Sequence, residues 1–257
     1  MSGGAYKNIK YEPTDSGVTI ILDRPPLNVM NIEMMEELCA ALTTVVKEQP
    51  KFLLLRANGK SFSAGVDVSD HTQEKAVHMI SVFHKIFHIM NHMMTPSVAA
   101  VRGACLGGGC ELATFCDIVI ASENAKFGQP EIKVGVMAPV AAAFFPKMLG
   151  CRKTLELLLT GATISATEAA QIRLINKAVP DERFEEEIAE TVKTLSALSA
   201  PVLRLNKKAV MDGLELDFER ALGGVEDIYL QELMATEDAK EGLRAFLEKR
   251  PPRWREK

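Results

Sequence analysis

The stretch that most constrains this chain is Leu106-Gly107-Gly108-Gly109-Cys110-Glu111-Leu112. Three successive glycines suggest a linker, but their surroundings are stiff. "PSVAAVRGAC" before them has the apolar run of a strand, and "CELATFCDIVIAS" after them reads as a short helix entering another strand. The glycines therefore sit in a turn between ordered elements, where backbone must come close to something.

The rest of the chain extends this pattern. Val18 to Asp23, residues 52–57, "SVAAV" and "DIVIAS" predict strands. Between them, Ile32 to Glu48 has helical apolar spacing and stops before Pro50, and a second helix ends near Met94 ahead of Pro96. Strands alternating with helices predict an α/β fold. Beyond about residue 140 the reading is almost wholly helical: 141–149, 153–160, 166–170, 184–196, 201–212, 217–234 and 236–250. We expect an α/β core over residues 1–200 and a helical C-terminal segment over 201–257.

Bulk properties exclude several classes. The 257 residues are 47% hydrophobic, enough for one large globular domain or one with a small appendage. A net charge of −4 with scattered Lys and Arg leaves no basic footprint for nucleic acid. The first residues lack the apolar core of a secretory signal, and the longest apolar stretch, Val134 to Phe145, is short for a bilayer and contains Pro139. Five cysteines without a CxxC pair fit reduced thiols in a cytoplasm, and their spacings do not suggest zinc. The expectation is a cytoplasmic protein with neither membrane nor nucleic-acid partner.

Several motifs fail on inspection. "NGKSF" would be a phosphate loop only with glycine where Leu54 stands, and "GGGCEL" has Leu112 where a dinucleotide fingerprint needs its third glycine. No GxSxG nucleophile elbow occurs. All five histidines fall between 71 and 92; His84, His88 and His92 recur every four residues. We read them as a polar stripe opposite Ile80, Phe83, Phe87, Met90 and Met94, since no carboxylate joins them.

Three elements remain: "SFSAGVDV", "LGGGCEL" and "FGQPEIKVG". The first N–H groups of a helix lack internal partners and carry the positive end of its dipole. Bare glycines there let a ligand oxygen reach them. A second N–H from the Gly65-Val66 loop would complete a pair of donors for a carbonyl oxygen gathering negative charge. A tight packing turn is the other reading of the glycines, and local sequence leaves both open. Glu111 and Glu131 could border the same pocket as general base and general acid, or be two surface acids among 34.

Over nearly its whole length the chain resembles the crotonase (enoyl-CoA hydratase/isomerase) superfamily. The resemblance is carried by "DRPPLNVMN", "SFSAGVDV", "AVRGACLGGGCELATFCDIVIASENAKFGQPEIKVG", "LLLTGATISATEAAQIRLINKAVP" and "AFLEKRPPRW". It implies a spiral of ββα repeats with a helical C-terminal trimerisation segment, assembled as a homotrimer or homohexamer. It also implies an acyl-CoA thioester as substrate, with coenzyme A as part of that substrate and no metal or redox cofactor. By position, the oxyanion donors would be the N–H groups of Val66 and Gly108. Glu111 would activate water for attack on the β-carbon, and Glu131 would protonate the α-carbon. Ala64, Gly65, Asp67 and Val68 would lie against the coenzyme A adenine. Gly107, Pro130, Pro139 and Val140 would border the acyl group, and Lys249 would approach the nucleotide from a neighbouring subunit.

One departure stands out. Where common hydratases carry a Gly-rich turn after "FGQPEI", this chain has Pro139-Val140-Ala141-Ala142-Ala143, and Phe144 and Phe145 replace a polar pair. We expect side chains to reshape the pocket for a non-standard acyl group. The variation is similar to cyclohexa-1,5-dienecarbonyl-CoA hydratases of aromatic degradation. An isomerase or ring hydrolase on the same scaffold, or an RNA-binding homologue, are the rival readings; the negative charge and lack of basic–aromatic runs weigh against RNA.

Overall fold

A computed structural model describes residues 6–257. Its main sheet has six strands in the order β1 (Ile9–Pro13), β2 (Val18–Leu22), β3 (Leu53–Ala57), β4 (Ser97–Val101), β6 (Ile118–Ser122) and β9 (Lys177–Val179). Only the β1–β2 pair is antiparallel. A second sheet joins β5 (Ala104–Leu106), β7 (Lys126–Gly128) and β8 (Thr163–Ser165).

The central strands are mostly apolar because both sheet faces are covered. Side-chain alternation divides them. Leu53, Leu55, Ala99, Val101, Val119 and Ala121 face the main core, shared with α1 (Ile32–Glu48) and α2 (Ala76–His92). Leu54, Val98, Ala100 and Ile120 point the other way, onto Phe184, Ile188 and Leu195 of α6 (Phe184–Ser196). Met34, Met35, Leu38, Leu42 and Val45 of α1 are buried at helical spacing, and the Asn31 side chain caps that helix by accepting from Met34 N–H.

The sequence reading missed β1 and the four three-residue strands. "IKYEP" lies on an edge, exposes Lys10 and Glu12, and ends in proline, so it lacks a core-strand signature. Three residues are too few to show a period. The stripe expected on α2 also needs correction. His88 and His92 are exposed, but His84 is half-buried and its Nε2 is enclosed without a partner. Among the described residues, no group of three or more His, Cys, Asp or Glu side chains is placed to hold a metal ion.

The remaining helices are α3 (Gly108–Thr114), α4 (Pro139–Thr160), α5 (Ala166–Gln171), α7 (Ala200–Gly213), α8 (Phe218–Asp227) and α9 (Glu237–Leu247). α4 breaks at Gly150, which has φ 73° and ψ 162° and separates the two helices expected there. The single helix expected over 217–234 instead widens after α8 into a π-helical stretch, Ile228–Leu233, in which Ile228 turns inward. From Ala200 onward the chain forms only helices and a pinned tail. Buried Asp238 accepts from Ser199 Oγ and from the N–H groups of Arg255 and Glu256, and Trp254 Nε1 donates to Ala197 O. No helix among the described residues is long and apolar enough to cross a membrane.

Candidate active site

The site begins in the loop that leaves β3. Asn28, fully buried, donates to the carbonyls of Asn58 and Ser61 and so ties that loop to the chain after β2. The backbone that follows is nearly saturated. Phe62 N–H donates to Arg102 O, Ser63 to Ala104 O, Ala64 to Leu27 O, and Asp67 to Met30 O. Gly65 N–H donates to the Ser63 hydroxyl, whose own proton goes to Asn28 O at 2.7 Å. In the 62–67 segment only Val66 N–H has no acceptor among the described residues.

The glycine run approaches this loop from the other sheet. Gly107 leaves β5 with φ 51° and ψ −132°, a conformation side-chain-bearing residues rarely adopt. A Cβ on Gly107 would stand 2.5 Å from Glu131 Oε1 and 3.7 Å from the Gly65 Cα. A Cβ on Gly65 would lie 3.7 Å from the Gly108 nitrogen, and one on Gly108 would strike Val66 Cγ2 at 2.7 Å and the Phe83 ring at 3.0 Å. The bareness of the run thus has a cause: the loop, a carboxylate and an aromatic ring all pack against it. Gly108 opens α3, and its N–H, like that of Val66, finds no acceptor among the described residues. The two spare amides belong to stretches of chain that pack against each other.

Glu111 projects from the first turn of α3 and is 2% exposed. The Ala141 N–H, at the start of α4, donates to its Oε1 at 2.6 Å. Burial pushes this carboxyl up to about 8; the Ala141 N–H opposes the rise, and the nearby charge of Glu131 adds to it. Glu131 sits in the 3-10 turn Pro130–Val134 and is half-buried, with Oε2 enclosed and unpartnered. Burial raises its pKa as well, while its own backbone N–H and the nearby His71 favour the charged form. The two carboxyls are therefore close enough to sense each other, and both resist ionisation.

The other anticipated residues scatter around this centre. Ala64 and Gly65 belong to the loop itself. Asp67 pairs with Arg24 at 3.6 Å and accepts from Ser69, which holds its carboxyl below the usual range, whereas Val68 is exposed. Pro130, Pro139 and Val140 are half-buried beside the glutamates, with Pro139 opening α4. Lys249 follows α9 in a left-handed conformation, exposed, and no hydrogen bond or ion pair joins it to the residues above. The expected effect of Phe144 and Phe145 on the pocket requires correction. Phe145 is 1% exposed in the core, and Phe144 packs on Phe115 with ring centroids 4.8 Å apart. The departure reaches the site through Val140 and the Ala141 amide instead.

Sequence reasoning missed three contributors. The Ala141 N–H leaves no side-chain signature. Phe83 was assigned only to the apolar side of α2, yet its ring walls Gly108. Gln129, 2% exposed with both amide ends unpartnered, precedes Glu131 by two residues; its burial left no signal in the sequence.

Two spare amides beside one buried and one half-buried carboxyl define a site able to polarise a carbonyl and move protons next to it. Comparison with known proteins agrees. Residues 14–257 match the family Enoyl-CoA hydratase/isomerase. A crotonyl-CoA hydratase of Syntrophomonas wolfei is 35% identical, covering 96% of this chain and 97% of its own. A cyclohexa-1,5-dienecarbonyl-CoA hydratase of Thauera aromatica is 36% identical over 91% and 90%. The crystal structure of an enoyl-CoA hydratase from Bacillus anthracis superimposes with a TM-score of 0.92 at 30% identity, covering 98% of this chain and all of that one. The chain belongs to the enoyl-CoA hydratase/isomerase family, the crotonase superfamily, and has its fold.

Proposed function

We propose that this protein is an acyl-CoA hydratase that adds water to a conjugated enoyl-CoA or dienoyl-CoA thioester. The observation that carries the reading is the meeting of two unpartnered amides, Val66 and Gly108, with Glu111 and Glu131. The thioester oxygen accepts from both amides, which stabilise it as it becomes an enolate; one such donor is worth roughly 10²–10³ in rate. Glu111 takes a proton from water as its oxygen bonds to the β-carbon, and Glu131 delivers a proton to the α-carbon. The presence of both carboxyls favours hydration over isomerisation. Coenzyme A arrives as part of the substrate and no further cofactor is called for.

The acyl group we favour is a cyclic conjugated diene. Support comes from the altered start of α4, where Pro139 and Val140 stand beside Glu111, and from the similarity to the Thauera aromatica protein. We further propose that identical chains cover the exposed Phe218, Leu222, Val225, Tyr229 and Leu230, giving a trimer or a pair of trimers in which Lys249 reaches a neighbour's nucleotide.

A panel of thioesters tests the assignment, with linear crotonyl-CoA beside cyclohexa-1,5-dienecarbonyl-CoA and turnover followed as loss of conjugated absorbance. Faster hydration of the cyclic ester is expected. Equal, fast use of short linear esters removes the cyclic preference, and no hydration of any ester removes the whole reading.

A further inference from the structure

Phe144 has no role so far beyond packing, yet its place on α4 gives it one. Its ring lies along that of Phe115, with centroids 4.8 Å apart and planes inclined at 44°. Both residues are half-buried at the edge of the main core. Phe115 closes α3, and its N–H donates to Glu111 O at 3.0 Å, so it follows Glu111 by one helical turn. Phe144 follows Ala141 by three residues in α4. Residues three or four apart are neighbours along a helix. The two helices therefore meet in two rungs that run in the same order along both. One rung is polar, the Ala141 N–H on Glu111 Oε1 at 2.6 Å, and the other is the Phe115–Phe144 contact.

Little else secures the polar rung. The residue capping α4 is Ala138, whose side chain makes no capping hydrogen bond, and Pro139 has no N–H to offer. The break at Gly150 separates this front half of α4 from the helix beyond it. Ala138, Ala141 and Phe145 are buried and tie the front half to the core. A single line of contacts leaves a helix free to roll about its own axis, and a second line against α3 stops the roll. Phe115, the ring that Phe144 meets, is itself backed. Phe87 meets it edge-on at 5.2 Å, Phe83 meets Phe87 at 4.9 Å, and the Phe83 ring walls Gly108. One aromatic row thus runs from the spare amide of Gly108 to the helix that serves Glu111.

We propose that Phe144 is a positioning residue: by packing on Phe115 it fixes the roll of α4 and keeps the Ala141 N–H on Glu111. The consequence for turnover rests on the hydration reading, in which Glu111 is the base; the clamp rests on the contacts above. The Ala141 N–H opposes the rise that burial imposes on the Glu111 carboxyl, and Glu131 is the titratable neighbour that adds to that rise. Loosening the clamp therefore lets the carboxyl hold its proton to higher pH.

Carbon-13 NMR of glutamate-labelled protein reads this directly, on a Glu131→Gln background so that one carboxyl of the pair titrates. A buried glutamate raised toward 8 stands clear of the exposed ones. Phe144→Ala is expected to raise its midpoint by about half a pH unit or more, a change of about threefold or more in its ionisation constant. Phe144→Tyr keeps the ring and should leave the midpoint in place. On an Ala141→Pro background, where the N–H is gone, Phe144→Ala should add nothing. In the chain that retains Glu131, the limb of kcat/KM that Glu111 sets should move with the midpoint. An unmoved midpoint in Phe144→Ala with native circular dichroism overturns the clamp, as does an equal shift in Phe144→Tyr or on Ala141→Pro. If Phe144→Ala does not fold, Phe115→Leu removes the ring from the other side of the contact and is judged by the same outcomes. An unaltered chain that hydrates no thioester overturns the reaction instead and leaves the titration test standing.

Discussion

Glu111 concentrates the energetics of the site in one side chain. Its carboxyl is 2% exposed and titrates near 8 rather than 4.5. As the general base it must be ionised while Glu131 keeps the proton it donates, so kcat/KM is expected to pass through a maximum, with Glu111 setting one limb near 8. Its contribution to stability moves in one direction. The folded chain keeps a proton that the unfolded chain releases near 4.5, so the contribution is complete below 4.5 and is lost as pH climbs through about 8. Glu111→Gln should cut turnover by roughly 10²–10⁴ while retaining thioester binding. It should also unfold at a higher temperature than the parent at pH 9 but not at pH 5, as differential scanning calorimetry can show. The pair Glu111 and Glu131 and the glycines that front them could be picked out from residue type and family resemblance. The environment that moves the carboxyls could not, because burial and a facing amide are tertiary properties.

At the scale of elements, the start of α4 acts as a donor aimed at Glu111. Ala141 is the third residue of that helix, where an N–H has no helical partner and is free to serve another group. Proline is tolerated in a first helical turn, so Ala141→Pro should fold while removing this donor. With a hydrogen bond to a charged group contributing about 1.5–3 kcal/mol, the limb of kcat/KM that Glu111 sets is expected to move up by about one to two pH units. An unmoved limb with normal circular dichroism would show that the contact does not govern the base. The long elements were legible because α1 buries residues at helical spacing and the central strands are continuous, mostly apolar runs. α4 was legible as helices but misleading in effect: Phe144 and Phe145 signalled a filled pocket, and they pack inward and along Phe115 instead. Direction along a helix depends on what lies behind it, which one sequence does not state.

For the whole molecule, the C-terminal helices leave large apolar side chains uncovered. Phe218 is 73% exposed, Leu230 61% and Phe246 82%. Large apolar side chains exposed on this scale are the motive for the assembly proposed above. Leu230→Glu should shift the sedimenting species from an assembly to a single chain, and analytical ultracentrifugation gives the answer directly. If the parent already sediments as one chain, the assembly proposal fails. Helical content after residue 200 was readable from spacing, and the pinned tail was not. Its anchor, Asp238, is one acid among 34 and gains its role only when folding brings Ser199, Arg255 and Glu256 to it.

The crowded hydrogen bonding of the 62–67 loop has a last consequence. With its neighbouring amides committed, the loop cannot rotate to quiet the one at Val66, and Gly108 is fixed by the chain around it. Both amides are therefore held ready for an incoming oxygen and are not turned to an acceptor among the described residues. A thioester should consequently raise the melting temperature more than the matching thioether, whose carbonyl has been reduced away. Equal shifts from the two would mean that the amides of Val66 and Gly108 do not hold the carbonyl.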